Sequence, residues 1–557
     1  MKGSSVARLA LLAAGASFVA IALWMLFQEA PRAFRWPLRL LTMSVIALAT
    51  VYVIRLLWIG ARRLRPLFSD GRRTDPLLLG LFIALHLLLL GNAVFHHPMA
   101  TYDSKPHREV AHLWSRLEVP TREQTRGIHY APLGYAPTSL LLRWGVPERE
   151  ALKVTQLVNV FYSAILVCGL LLFARLISPD DLLLRRLVLG ALLCLPVYYK
   201  SFAMARPEPM LAMWCVLATY CATRIFCLGE RRWSHFAWFG IFTGAMVLTR
   251  QWGAFLLPAF GVAFLLSCWW YPERWPRLLQ GLVISVGLCL GIAGWYYALM
   301  TIMHGTLLAF NSVLRPFSFS NWEPGFFWDV FPPGLFIAPV KNMLENRFFA
   351  LLHAEIWGDY WGMWLFDCIP GKLTSEGYFD TAASVVPYLR VSIPLALGGT
   401  LLLAVGVLGV FFTNLYSLSR TSAFSDRVAT LPPLVVLFTV GFYFVFVVCY
   451  TNTSSIRATY ILQIFPFAAF CLGYFLWRIR GRSSAAFWAL LVAWFTVGLM
   501  QAPAFVTRIP SPREASVLLG HIPWEVFSAV ALGLMIQLMN FSRCKFFQRK
   551  LFCSGRS

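Results

Sequence analysis

Charge is the scarcest commodity in this chain. Asp, Glu, Lys and Arg make up 13% of its 557 residues, while 59% are hydrophobic; a soluble domain carries about 25% charged residues. There is too little polar surface to cover a water-soluble fold, so lipid must be the solvent for most of it. Acidic residues are fewer still, 25 against 48 Lys and Arg, giving a net charge of +23. No domain-sized basic segment accompanies that charge, only short Arg clusters between apolar runs. This excludes a nucleic-acid-binding domain and fits topology signals and anionic lipid contacts. The twelve cysteines include no CxxC pair and fall mostly within apolar runs. Only Cys368 stands in a long polar loop, and Cys544 and Cys553 stand in a basic tail. A disulfide framework and a zinc knuckle are therefore not expected. Internal repeats and low-complexity tracts are also lacking, and no segment reads as a separate soluble domain.

What the chain does have is apolar runs of about 20 residues, without strand-like alternation. In a bilayer the backbone must satisfy its own hydrogen bonds, so such runs are helices. The expected fold is an all-α polytopic membrane protein of roughly fourteen transmembrane helices. They fall at about 6–28, 38–59, 76–95, 151–177, 184–202, 207–228, 235–249, 251–270, 278–303, 389–413, 431–450, 457–477, 485–502 and 522–541. The first run is too long for a signal-peptide core and is read as a retained helix. GARRLRPLFSDGRRTD (60–75) holds five arginines and is cytoplasmic by the positive-inside rule. Alternating from there puts nearly every basic cluster inside, and two long segments, 96–150 and 304–388, outside. Long loops of this kind are usually functional; VAHLWSRL (110–117) and APTSLLLRW (136–144) read as amphipathic surface helices. Four regions follow: an N-terminal helix pair with its basic loop (1–75), a membrane core with the first outer loop (76–303), a large outer loop (304–388), and C-terminal helices with a basic tail (389–557).

Ionisable residues gather where successive helices turn at the outer face. TYDSKPH (101–107) brings Asp103 and His107 directly after an uncharged 20-residue run. HYAPLGYAPTSLLL (129–142) presents Tyr130 and Tyr135 beside the helix-breaking Pro132 and Pro137, MARPEPML (204–211) Arg206 and Glu208, and LTRQWG (248–253) Arg250 and Gln251. Such groups are costly at these depths and usually face a protein cavity. An acid beside cations suits transfer from a lipid-phosphate sugar. A carboxylate, here Asp103, takes the proton of the attacking group. Arg206, Arg250 and Arg457 stabilise the departing phosphate. Plainer roles stay open: Asp103 as an N-cap, Arg206 as a partner of Glu208, Arg250 as an interfacial arginine. His96, His97, His107 and His112 lack the usual helical metal spacing.

The order of these elements resembles the GT-C superfamily of polyprenyl-phosphate-sugar-dependent glycosyltransferases. It is most similar to the family-39-like branch of protein mannosyltransferases and aminoarabinose transferases. The elements are YDSKPH, APLGY (131–135), RPEPML, FGIFTGAMVLTRQWG (239–253), WGDYWG (357–362) and RATYILQIFPF (457–467), and together they span most of 76–470. Where many relatives carry Asp-Glu in the first outer loop, this chain has Asp103-Ser104. The resemblance implies a sugar passed from an undecaprenyl- or dolichyl-phosphate donor to a lipid, glycan or protein acceptor at the outer or luminal face. It implies inversion at the anomeric carbon without an obligatory metal or other cofactor, a divalent cation remaining open. It puts Glu208 at the second acid, His129 in place of a basic residue before APLGY, and Asp359 beside sugar or acceptor. The membrane would be a bacterial inner membrane, or alternatively the endoplasmic reticulum. The rival readings are a secondary transporter or lipid flippase, and a non-catalytic scaffold for envelope glycan assembly.

Overall fold

The computed structural model describes residues 65–69, 74–99, 104–307, 314–337, 339, 344, 347–358, 386–418, 424–452 and 455–502. The expected helices at 6–28, 38–59 and 522–541 lie outside these, as do Asp103 and Asp359. The chain divides into two compact units, Met1–Pro76 and Leu77–Ser557. Of the first, a short bridge between Ser69 and Thr74 is described.

Helices make up most of the second unit's described residues. Its principal helices are α1 (Pro76–Phe95), α2 (Ser104–Ser115), α3 (Ala136–Arg143), α4 (Glu148–Ile177), α5 (Leu182–Leu193), α6 (Pro196–Ala203), α7 (Glu208–Ala222) and α8 (Trp233–Thr249). Then come α9 (Leu257–Trp270), α10 (Trp275–Cys289), α11 (Trp295–His304), α12 (Phe348–Trp357), α13 (Val386–Leu418), α14 (Leu431–Cys449), α15 (Phe465–Arg480) and α16 (Ser484–Met500). Among the described residues eight helical segments are long and apolar enough to cross a bilayer, or nine if α5 and α6 form one broken span. This chain is therefore an all-α, multi-pass membrane protein.

Lipid tails are as apolar as leucine, so packing rather than the hydrophobic effect joins these helices, and small residues set the approach. At Gly240 of α8 an added Cβ would lie 2.4 Å from the Ser285 carbonyl oxygen of α10. No side chain fits between those backbones. The apolar residues that remain exposed on α9 and α10, such as Leu265, Trp269 and Val283, face the lipid side. By contrast α15 is buried along nearly its whole length, packed against α5, α13, α14 and α16.

Three local features position the outer face. The run expected as one helix over 184–202 is two helices bent by 68°. Pro196 has no N–H to continue the ladder and forces Leu195 into extended backbone (φ −102°, ψ 104°). The resulting α6 is buried in every residue, the setting in which a broken membrane helix is tolerated. Next, α4 holds the turn that follows: Gln156 donates to the Ala203 carbonyl (2.7 Å) and Asn159 to that of Met204 (2.6 Å). Finally, the Lys153 ammonium donates to the carbonyls of Ala93 (2.8 Å) and His96 (2.5 Å), satisfying orphan acceptors at the end of α1.

Candidate active site

The helix read at 110–117 is found earlier, at Ser104–Ser115 (α2), and the one read at 136–144 is α3 (Ala136–Arg143); both are pinned down. Glu148 at the start of α4 accepts from Arg108 (2.9 Å) and pairs with His112 (3.1 Å). Ser139 of α3 donates to the Ala111 carbonyl of α2 (2.9 Å). Between them the APLGY turn presses against two neighbouring turns. A Cβ on Gly134 would lie 2.4 Å from Pro207 Cβ and 2.9 Å from the Thr249 carbonyl oxygen. Glycine is what lets Tyr135 approach RPEP and LTRQ together. Gly134→Ala is expected to destabilise the protein by about 1–3 kcal/mol through overpacking, read as a lowered denaturation midpoint in detergent.

The turns so assembled bring Arg206, Glu208 and Arg250 into one buried cluster. Arg250 Nη2 donates to Glu208 Oε1 at 2.6 Å. Arg206 Nε donates to Oε2 at 3.2 Å, and its Nη2 to Oε1 at 3.3 Å. All three side chains are 1% exposed. Among the described residues, two guanidinium groups thus share the Glu208 carboxylate. Arg250 also lies over the Tyr130 ring, 4.3 Å from its centroid, and both arginines lie 5.7 Å from that of Tyr460, within cation–π range. Among the described residues, Arg250 Nε and Nη1 have no hydrogen-bond partner.

Around this cluster the aromatic residues form a stack. His107 lies on Tyr130 (4.6 Å between centroids), and Tyr130 on Tyr135 (5.7 Å). His107 Nδ1 and the Tyr135 hydroxyl share a hydrogen bond of 2.5 Å. Burial, reinforced by the charges of Arg206 and Arg250, pushes the His107 pKa well below its ordinary value. Burial pushes the Tyr135 phenol well above its own. Both are neutral at physiological pH, so the positive charge of the site belongs to its arginines.

Outside the stack opens a cavity of about 690 Å³. Tyr130, Trp252 and Tyr460 form part of its wall, and Lys105, Arg122, Arg126, Glu109 and Glu123 contribute charge. His129 lines it as well, edge-on to Tyr130. Gln251 is buried beside Arg250, its Nε2 without a partner among the described residues. Asn452, the acceptor of a glycosylation sequon, lines the cavity too.

Arg457 pairs with another carboxylate. It belongs to a second buried cluster, in which Glu355 of α12 accepts from Arg457 Nη1 (3.0 Å) and from Lys200 Nζ (2.7 Å). Tyr443 fixes the backbone here, accepting the Arg457 N–H at 2.9 Å. Lys200 and Glu355 were not read from the sequence. Their signal was present: each is the sole Asp, Glu, Lys or Arg within its own helix, and such groups are functional candidates by default. Among the described residues no three His, Cys, Asp or Glu side chains group as a metal site.

The molecule is thus a membrane protein with a polar cavity whose inner wall is backed by buried arginines. No protein-family model and no curated protein matches the chain. Among solved structures it is similar to ArnT from Cupriavidus metallidurans bound to undecaprenyl phosphate. The identity is 16% and the TM-score 0.46, over 84% of this chain and 72% of that one. The apo state of that protein gives 15% and 0.45, over 82% and 71%. An Archaeoglobus fulgidus oligosaccharyltransferase in complex with zinc and sulfate gives 12% and 0.39, over 79% and 53%.

Proposed function

We propose that the chain is a GT-C-type glycosyltransferase that moves a sugar from a polyprenyl-phosphate donor to an acceptor at the extracytoplasmic face. The observation that carries this reading is Arg250. It has two buried guanidinium nitrogens, Nε and Nη1, without a partner among the described residues, and it lies behind aromatic walls of an open polar cavity. Buried guanidinium donors of this kind match a phosphate oxygen in geometry and charge.

In the proposed reaction the acceptor hydroxyl or amine attacks the anomeric carbon from the face opposite the phosphate. The bond between that carbon and the phosphate oxygen breaks, and the lipid phosphate leaves with the electron pair. Arg250 stabilises the negative charge that develops on it, a form of preorganised electrostatic catalysis. Asp103 takes the acceptor proton; it directly precedes Ser104, which lines the cavity. Arg206 and Glu208 hold Arg250 in place. Tyr130, Tyr135, His107, His129 and Gln251 surround the sugar, and the product is inverted at the anomeric carbon. Arg457 acts at a distance, through Glu355 rather than on the phosphate.

One observation favours the transporter reading: the break between α5 and α6 with a buried Lys200, since broken helices carrying charge are common in transporters. The experiment that separates the two compares wild type with Asp103→Asn, reconstituted with radiolabelled polyprenyl-phosphate sugars. Sugar transfer by wild type, and its loss in a variant that expresses equally, is the expected result. Transfer that survives in Asp103→Asn removes Asp103 as the base. Translocation of the labelled lipid without transfer replaces the enzyme with a flippase.

A further inference from the structure

Away from the outer cavity, a second space opens on the lipid side of the core. It is a groove of about 620 Å³ between α9, α13 and α14. Along α14 it runs from Thr430 to Val445, about 22 Å of helix at the standard rise. Its wall is hydrocarbon and aromatic, with two exceptions. The Thr430 hydroxyl is satisfied by the Asp426 carbonyl at 2.8 Å. Asn414 of α13 is not satisfied. It is 2% exposed, and neither its Nδ2 nor its Oδ1 has a hydrogen-bond partner among the described residues. An orphaned buried amide carries an uncompensated desolvation penalty, and an occupant made only of hydrocarbon would not relieve it.

The end of the groove that holds Asn414 is basic. Arg427, three residues before Thr430, donates to the Tyr271 hydroxyl at 2.7 Å. Tyr271 follows the last residue of α9. The guanidinium groups of Arg274 and Arg427 lie 4.4 and 5.6 Å from its ring centroid. The neighbouring Asp426 is neutralised by Arg478 at 2.7 Å, and Glu273 pairs with Arg274 at 2.9 Å. By the distribution of basic residues this is the cytoplasmic end.

We propose that this groove is a binding site for an anionic glycerophospholipid of the cytoplasmic leaflet. One acyl chain lies between α9, α13 and α14, an ester carbonyl accepts from Asn414 Nδ2, and the phosphate sits at Arg427 and Arg274. An isoprenoid chain carries no carbonyl and leaves Asn414 as it was; an ester lipid supplies the acceptor where the chain meets the headgroup. The headgroup end of the site, at Thr430, lies at the opposite end of α14 from Phe446, which lines the outer cavity, and lipid binding there does not depend on glycosyl transfer.

The test is native mass spectrometry of the full chain, stripped of lipid and titrated in detergent with dioleoyl phosphatidylglycerol. Dioleoyl phosphatidylcholine and undecaprenyl phosphate serve as comparison lipids. Wild type is expected to hold one phosphatidylglycerol more tightly than phosphatidylcholine. Asn414→Leu is expected to lower its occupancy about fivefold, the equivalent of one hydrogen bond, and Arg427→Gln to erase the preference for the anionic lipid. In lipid-free detergent Asn414→Leu melts no lower than wild type, because it removes an unpartnered amide, so a lost adduct is not lost folding. Equal phosphatidylglycerol occupancy in wild type and Asn414→Leu overturns the proposal. So does equal binding of phosphatidylcholine, or undecaprenyl phosphate displacing phosphatidylglycerol from wild type.

Discussion

Glu208→Gln is expected to lower the stability of the folded protein by about 3–5 kcal/mol, the usual cost of removing one partner from a buried ion pair. Glu208 faces Arg206 and Arg250, and all three side chains are 1% exposed. Glutamine keeps one acceptor oxygen but withdraws the negative charge, leaving two guanidinium groups close together in a setting of low dielectric. Their repulsion is not screened by salt as it would be at a surface. The measurement is denaturant or thermal unfolding in a fixed detergent, with Glu208→Asp as the control that keeps the charge. Glutamine should be strongly destabilising and aspartate much less so. Equal stability of wild type and Glu208→Gln would mean that the cluster is hydrated and that the two arginines do not depend on the carboxylate.

The second large effect is catalytic. Arg250→Lys keeps a positive charge opposite Glu208, so folding is expected to be near wild type. A lysine cannot present the fork that Nε and Nη1 offer. Removing a preorganised donor of this kind costs about 10²–10³ in kcat. The expected result is therefore a kcat lower by about that factor for a polyprenyl-phosphate sugar, with an unchanged melting temperature. A kcat within about threefold of wild type would assign Arg250 to structure alone, since an interaction made in the transition state must appear in the rate.

The membrane-spanning helices were legible because hydropathy reports directly on solvent. Helix α1 was read at the same residues it occupies, 76–95, and α4 and α14 within three residues of their ends; the runs read at 207–228 and 251–270 are matched once the short helical turns Thr223–Cys227 and Gln251–Leu256 are joined to α7 and α9. The cluster was half legible. Arg206, Glu208 and Arg250 each stood at an outer turn, and the pairing of Arg206 with Glu208 was among the readings weighed. That Arg250 completes the same cluster depends on the close approach at Gly134, which sequence spacing does not encode. The break at Pro196 was hidden because the residues on both sides are apolar, and a hydropathy window does not register a missing N–H. Arg457 was grouped with Arg206 and Arg250. Its carboxylate partner is Glu355, 102 residues away, and no local pattern announces a pairing at that separation.

The shared carboxylate of Glu355 has a consequence for how this protein is made. Lys200 emerges from the ribosome 155 residues before the glutamate that neutralises it, roughly 8–30 s at ordinary rates of synthesis. Arg457 follows 102 residues after that. During the interval α6 carries an uncompensated ammonium in an apolar segment, a cost of about 2.5–3.5 kcal/mol for insertion at membrane depth. Burial of α6 around Lys200 is therefore expected to follow the translation of α12, which supplies Glu355.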